Sequence, residues 1–346
     1  MNNPSLQKGT KHSLSRPKHF KLILIISIVI LFVVAIASLM LGARMTSMQE
    51  IIDGLLYRNE DSYGANVVRK RIARTFFAIC CGAALGVAGA LMQSVTRNPL
   101  ADPSILGVNT GASLFVIIGL AFFKISTAGQ YIWLSLIGAG LTAIFVFGIG
   151  SLGRGGATPI KLVLAGAATT AALSSLVTAI MIPNSYAMDQ FRFWQVGSVG
   201  AGNWDSIRIF IPFLLVGLLI AFISAPALNA LALGDDVATG LGVRPGVLRF
   251  FAAFGGVILC GAATALAGPI GFIGLLATHL MRLLLGPDLR YVIPMSALTG
   301  AIILTTADIL GRLIGSPGEL EVGVVTAFIG APILIYIAKR SKVRSL

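Results

Sequence analysis

The chain has 346 residues, 56% hydrophobic and 11% charged, with a mean hydropathy of +0.90. That composition excludes an ordinary soluble domain. A net charge of +13 therefore does not point to nucleic acid, because no soluble basic domain is left to bind it.

Residues 1–20 are polar and basic and read as a cytosolic tail, ahead of a single transmembrane domain over 21–346. Lys21–Leu41 is the first span, expected to be retained because no small-residue cleavage site follows it. Gly42–Val68, with Glu50, Asp53, Glu60 and Asp61, reads as an outer loop carrying a short helix. The second span, Thr75–Ser94, has the roughly 20 apolar positions needed to cross a hydrocarbon core, and four cations precede it: Arg69, Lys70, Arg71 and Arg74. Further spans are expected at Ser104–Phe123, Tyr131–Gly150, Lys161–Met181, Ile207–Ser224, Val247–Ala267, Gly271–Leu285, Val292–Leu313 and Val322–Ala338. Ten spans return both termini to one side, so the sequence predicts an all-α polytopic membrane protein.

With the N-terminus inside, sixteen of the 26 Lys and Arg fall in cytosolic segments beside four acidic residues, and ten fall outside beside nine. The positive-inside rule selects this orientation, which places the protein in the cytoplasmic membrane. The Arg69–Arg74 cluster is a local exception and invites a functional reason. GAALGVAG at Gly82–Gly89 recurs as GAATALAG at Gly261–Gly268 on a helix of opposite direction, suggesting an inverted repeat. Between the sixth and seventh spans, 227–246 reads as a cytosolic segment with a short helix. Leu231, Leu233, Val237 and Leu241 are its apolar positions, and Asp235 and Asp236 give it an acidic face. Helices lying on lipid favour Lys and Arg there, so a protein partner is expected.

Cys80, Cys81 and Cys260 lie in apolar runs and read as small buried hydrophobes. No Walker-type phosphate loop, metal-ligand cluster or acid–base carboxylate pair is evident, so neither enzymatic activity nor a cofactor is expected of this chain.

RIARTFFAICCGAALGVAGALMQSVTRNPLADPSILGVNTGAS, LALGDDVATGLGV, and LAGPIGFIGLLATHLMRLLLGPDLR through ADILGRLIGSPGELEVGVVTAFIGAP resemble, in order, the FecCD-type permease subunits of ABC importers for ferric siderophores, haem and cobalamin. The resemblance implies a type II importer permease that pairs with a second permease subunit, two cytosolic ATPases holding ATP-Mg, and an extracytoplasmic binding protein. It implies that Arg71, Arg74 and Arg312 dock the binding protein, since a guanidinium fork suits a partner's carboxylate. Asp308, one turn before Arg312, offers a local ion pair instead. Leu231, Leu233, Gly234, Asp235, Ala238 and Gly242 would couple to the ATPase. Asn98, Pro99, Leu100, Ala101 and Pro103 would shape the inner mouth. Pro159 and Ile160 stand at the family's gate, where some members have small hydroxyl residues, so a hydrophobic constriction is expected. His279 follows Thr278 where the family commonly has Pro, and reads as packing. Gly107, Gly111, Ala165 and Gly166 are candidates to line the path. A ferric siderophore is the expected cargo, with haem or cobalamin as alternatives. An ion-coupled carrier is the alternative from another class.

Overall fold

The computed structural model describes residues 19–42, 44–56, 62–99, 101–153 and 158–340. The basic tail up to residue 18 and Leu100 lie outside the described residues. The elements are α1 (Phe20–Met40), α2 (Met48–Leu55), α3 (Tyr63–Thr96), α4 (Val108–Ile118), α5 (Ala128–Ser151), α6 (Pro159–Met181), α7 (Ser185–Val196), α8 (Trp204–Leu231), α9 (Asp235–Gly240), α10 (Pro245–Ala267), α11 (Ile273–Leu285), α12 (Leu289–Ile314) and α13 (Val322–Arg340). A 3-10 turn at Pro103–Leu106 precedes α4, and a π-helical turn at Gly119–Phe123 prolongs it.

Among the described residues, seven helices are long and apolar enough to cross a membrane, and three shorter apolar ones, Val108–Phe123, Ile273–Leu285 and Val322–Ile335, fall where the remaining expected spans lie. Local chemistry sets the helix starts. Ser47 with Glu50 and Thr127 with Gln130 form capping boxes on α2 and α5. Ser62, Asn184, Asn203 and Asp288 cap α3, α7, α8 and α12 with side-chain oxygens. Proline opens α6 and α10, where its missing N–H costs nothing.

Two boundaries and one additional element differ from expectation. α3 starts at Tyr63, so the cation cluster sits on a helix continuous with the second span. α8 continues to Leu231 through Pro226, absorbing the first residues expected in the cytosolic segment. α7 is an additional short helix outside the spans; its sequence, SYAMDQFRFWQV, is too polar and brief for the hydropathy signal to find.

α3 is the axis of the bundle. In its most apolar window 83% of residues are buried, against 11% for α1 at the periphery. The packing repeats: α3 lies against α12 and α11, while α10 lies against α5 and α4; α4 pairs with α5 as α11 does with α12; α6 follows on α5 as α13 does on α12. That correspondence is the inverted repeat, with α3–α6 related to α10–α13. Close packing of α3 depends on glycine. A Cβ on Gly82 would lie 2.4 Å from Gly300 O, and one on Gly86 2.1 Å from Ser296 O, so the two backbones touch without intervening side chains.

Candidate functional site

Two ends of the bundle carry the site residues, and a helix face runs between them. At the end bearing α2 and α7, α1 finishes with the carbonyls of its last turn unpaired by helix geometry. Arg71 on α3 answers them, Nη1 donating to Leu39 O (3.0 Å) and Met40 O (3.3 Å) and Nη2 to Arg44 O (2.6 Å). Arg312 on α12 donates from Nη1 to Ser38 O and Leu41 O, both at 3.0 Å, and from Nη2 to the Ser38 hydroxyl at 2.8 Å. Asp308 lies beneath, 2% exposed, 3.0 Å from Arg312 and 2.8 Å from Arg74. Arg74 also pairs with Glu319 at 2.8 Å, on the loop between α12 and α13.

The structure thus brings Arg71, Arg74 and Arg312 together, with their guanidinium groups engaged inside the chain. Arg71 and Arg312 are buried, and the side chain of Arg74 is 15% exposed. The local Asp308–Arg312 pair is real but is one edge of a larger network. An open cleft of about 820 Å³ lies over this network, with Arg44, Arg69, Lys70, Tyr63 and Trp204 also in its walls. Sequence reasoning missed Ser38 and Glu319, which lie 274 and 245 positions from their arginines, and no local signal marks them.

At the other end α9 is six residues long, entered through Gly234 (φ +119°) and left through Gly242 (φ +82°), conformations that glycine adopts without a Cβ clash. The apolar and acidic positions of this segment do not sort into one buried and one exposed face, and Asp236 is exposed. Leu231 and Ala238 are fully buried, whereas Leu233, Val237 and Leu241 are uncovered. Asp235 faces the bundle and pairs with Arg97 and, at 2.8 Å, with Arg249. Burial pulls its carboxyl upward, but hydrogen bonds and charge from Arg249, then Arg97, outweigh this and hold it below the ordinary carboxylate value. The sign is that of a depressed acid: the pair is intact above about pH 4 and weakens only as pH falls through the lower folded value.

The mouth residues lie close by. Ala101 N donates to Asn98 O in a turn (3.1 Å), Ala101 and Pro103 are buried, and the 3-10 turn that follows packs on α6. Pro159 is the first residue of α6, and Ile160 is 73% exposed, an apolar side chain at the end of an uncovered helix face.

The residues expected to line a path are largely enclosed in this chain. Gly107 and Gly166 are buried, and a Cβ on Gly111 would meet Thr142 Oγ1 at 2.1 Å and Gly138 O at 2.5 Å, so Gly111 serves the contact between α4 and α5. Ala165 is half-buried. The uncovered positions of α6 include Ala167, Ala168, Ala171, Ala172, Ser174, Ser175, Thr178 and Ala179, with Ile160, Leu164 and Leu176. Peripheral α1 shows a different chemistry, with Leu22, Ile25, Phe32 and Val33 all more than half exposed. A small and hydroxyl-bearing face is suited to water or a polar solute, not to acyl chains.

Among the described residues, ten apolar helices, eight of them in an inverted repeat and one presenting a face rich in small and hydroxyl-bearing residues, define a multi-pass membrane permease. The chain belongs to the FecCD transport family, whose model matches residues 29–340. It is 42% identical over 319 residues to the probable siderophore transport system permease protein YfiZ of Bacillus subtilis (92% of this chain, 96% of that protein). It is 41% identical over 315 residues to the ferric enterobactin transport system permease protein FepD of Escherichia coli K12 (90% and 94%). A solved structure described as an inward-facing conformation of a metal-chelate type ABC transporter superposes with a TM-score of 0.81 at 26% identity, covering 93% of this chain and 99% of that one.

Proposed function

We propose that this chain is the membrane-spanning subunit of an ATP-driven importer that passes a ferric siderophore, delivered by an extracytoplasmic binding protein, along the uncovered face of α6. The observation that carries the reading is that face. From Ala167 to Thr178 the exposed side of this span is alanine, serine and threonine around one large apolar residue, Leu176, so it gains little from lipid and forms one wall of a path completed by a second permease subunit. With mostly small exposed side chains and no ionised group from Ala167 to Thr178, the wall holds cargo weakly enough to release it.

The two ends supply the remaining roles. With the N-terminus inside, the arginine network lies outside and α9 inside. A binding protein's carboxylate approaching Arg74 meets a guanidinium already shared with Glu319, whose side chain is 45% exposed and is the contact such a partner would displace. On the inner side, Leu233, Val237 and Leu241 offer an apolar face to the ATPase, and ATP-driven closure moves that face against the membrane body.

The test is uptake of radiolabelled iron as its chelate into proteoliposomes holding the permease, the ATPases and the binding protein. Ala171→Trp, which places an indole on the uncovered wall, is expected to cut uptake by more than about tenfold, with the complex still assembled and hydrolysing ATP. Uptake that persists without ATP, or is indifferent to bulk at Ala171, overturns the reading.

A further inference from the structure

α9 is seated on the rest of the chain by little apolar contact. Ala238 is its one buried side chain. What fixes it is a carboxylate. Asp235 Oδ1 accepts from Arg97 Nη2 and from Arg249 Nη2, the latter at 2.8 Å. Arg97 is the residue that closes α3, held in the left-handed region at φ +49°, and its Nη2 also donates to Leu231 O at the last residue of α8. Arg249 lies in the first turns of α10 and is 6% exposed. One acidic oxygen therefore joins α9 to the ends of α3 and α10, and Arg97 carries the joint on to the end of α8.

These are not arbitrary neighbours. α3 and α10 are the most enclosed spans, each the lead helix of one half of the inverted repeat. α3 also runs directly into the Asn98–Pro103 turn, whose continuation packs on α6. A left-handed backbone at a non-glycine residue costs roughly 1 kcal/mol and persists only where its surroundings hold it, here through the bonds Arg97 makes to Leu231 O and Asp235. Charge-assisted bonds are short and directional, so a joint made of them passes a displacement on, where a greasy contact would slide.

We infer that Asp235, Arg97 and Arg249 form a charged joint that transmits the movement of α9 to α3 and α10, and that Asp235 acts there as a positioning residue, leaving contact with the ATPase to Leu233, Val237 and Leu241. This rests on the importer reading above. It assigns to Arg97 and Arg249 a part in energy coupling.

The experiment measures chelate uptake and ATP hydrolysis in the same proteoliposomes carrying the whole transporter. Asp235→Asn and Arg249→Met are expected to retain the ATPases and most of their hydrolysis while uptake per ATP falls about tenfold. Arg249→Lys, which keeps the charge, recovers most of that ratio, and the double variant is no worse than the poorer single one, because both cut the same joint. Loss of the ATPases from Asp235→Asn would make Asp235 a contact residue and overturn the inference, as would unchanged uptake per ATP in Arg249→Met. Leu233→Asp separates the two levels. If it leaves the ATPases bound, the coupling role of α9 itself fails; if it releases them while Asp235→Asn stays coupled, only the joint fails.

Discussion

Replacing Asp308 with Ala is expected to lower the unfolding free energy of the purified permease by about 3–5 kcal/mol, the range for removing one member of a buried charge group. Asp308 is 2% exposed and is the carboxylate common to Arg74 and Arg312, so its loss leaves Arg312, also 2% exposed, with no acid in contact and Arg74 with Glu319 alone. The damage spreads along the chain, because Arg312 is what holds Ser38 and Leu41 at the end of α1. Thermal unfolding in nanodiscs measures it. Asp308→Ala combined with Arg312→Met should be less harmful than the sum of the two, since the second change removes the charge that the first orphans. Additive losses, or a shift for Asp308→Ala no larger than an exposed pair gives, would show that the network is not held by charge. The same measurement bears on docking. A substitution at Arg312 that weakens capture of a binding protein must be read beside its melting curve, because Arg312 is a structural residue in this chain before any partner arrives.

Helix positions were legible because a span needs a length of apolar sequence that nothing else in the chain mimics; their starts were less so, since α3 and α8 begin at the caps Ser62 and Asn203, ahead of the apolar runs. Site residues were legible only as positions. That Asp308 and Arg312 pair follows from their spacing of four on a helix; that Arg312 also reaches Ser38 depends on how α1 lies against α12. The direction of α9 illustrates the limit more sharply. Leu233, Val237 and Leu241 suit lipid, core or partner equally, and in a helix of six residues no periodicity decides among them. Arg97 and Arg249 decide it, by drawing Asp235 inward from 138 and 14 positions away. Gly111 failed for the same reason: a small residue lines a cavity or admits a neighbouring backbone, and only the position of α5 distinguishes the two.

Gly86→Val is expected to abolish folding of the permease outright. The added Cβ would sit 2.1 Å from Ser296 O, where Cβ contacts do not come below about 3.0 Å, and the obstructing atom is backbone on α12, unable to rotate aside. Gly82 makes the same approach to Gly300 O at 2.4 Å, Gly300 returns it to Gly82 O at 2.2 Å, and Gly89 meets the backbone of Gly274 on α11 at 2.5 Å. Relief at one site therefore parts three helices at once, and membrane helices have no hydrophobic drive to close the gap, relying on close van der Waals packing. Gly148 on α5 is the matched control, since nothing lies within 4 Å of a Cβ built there; Gly148→Val should purify and melt like the parent. Size-exclusion chromatography and limited proteolysis of the two variants give the answer. A monodisperse, protease-resistant Gly86→Val protein would mean that α3 and α12 are further apart than these contacts require, and with them the axis on which α9, through Arg97, is proposed to act.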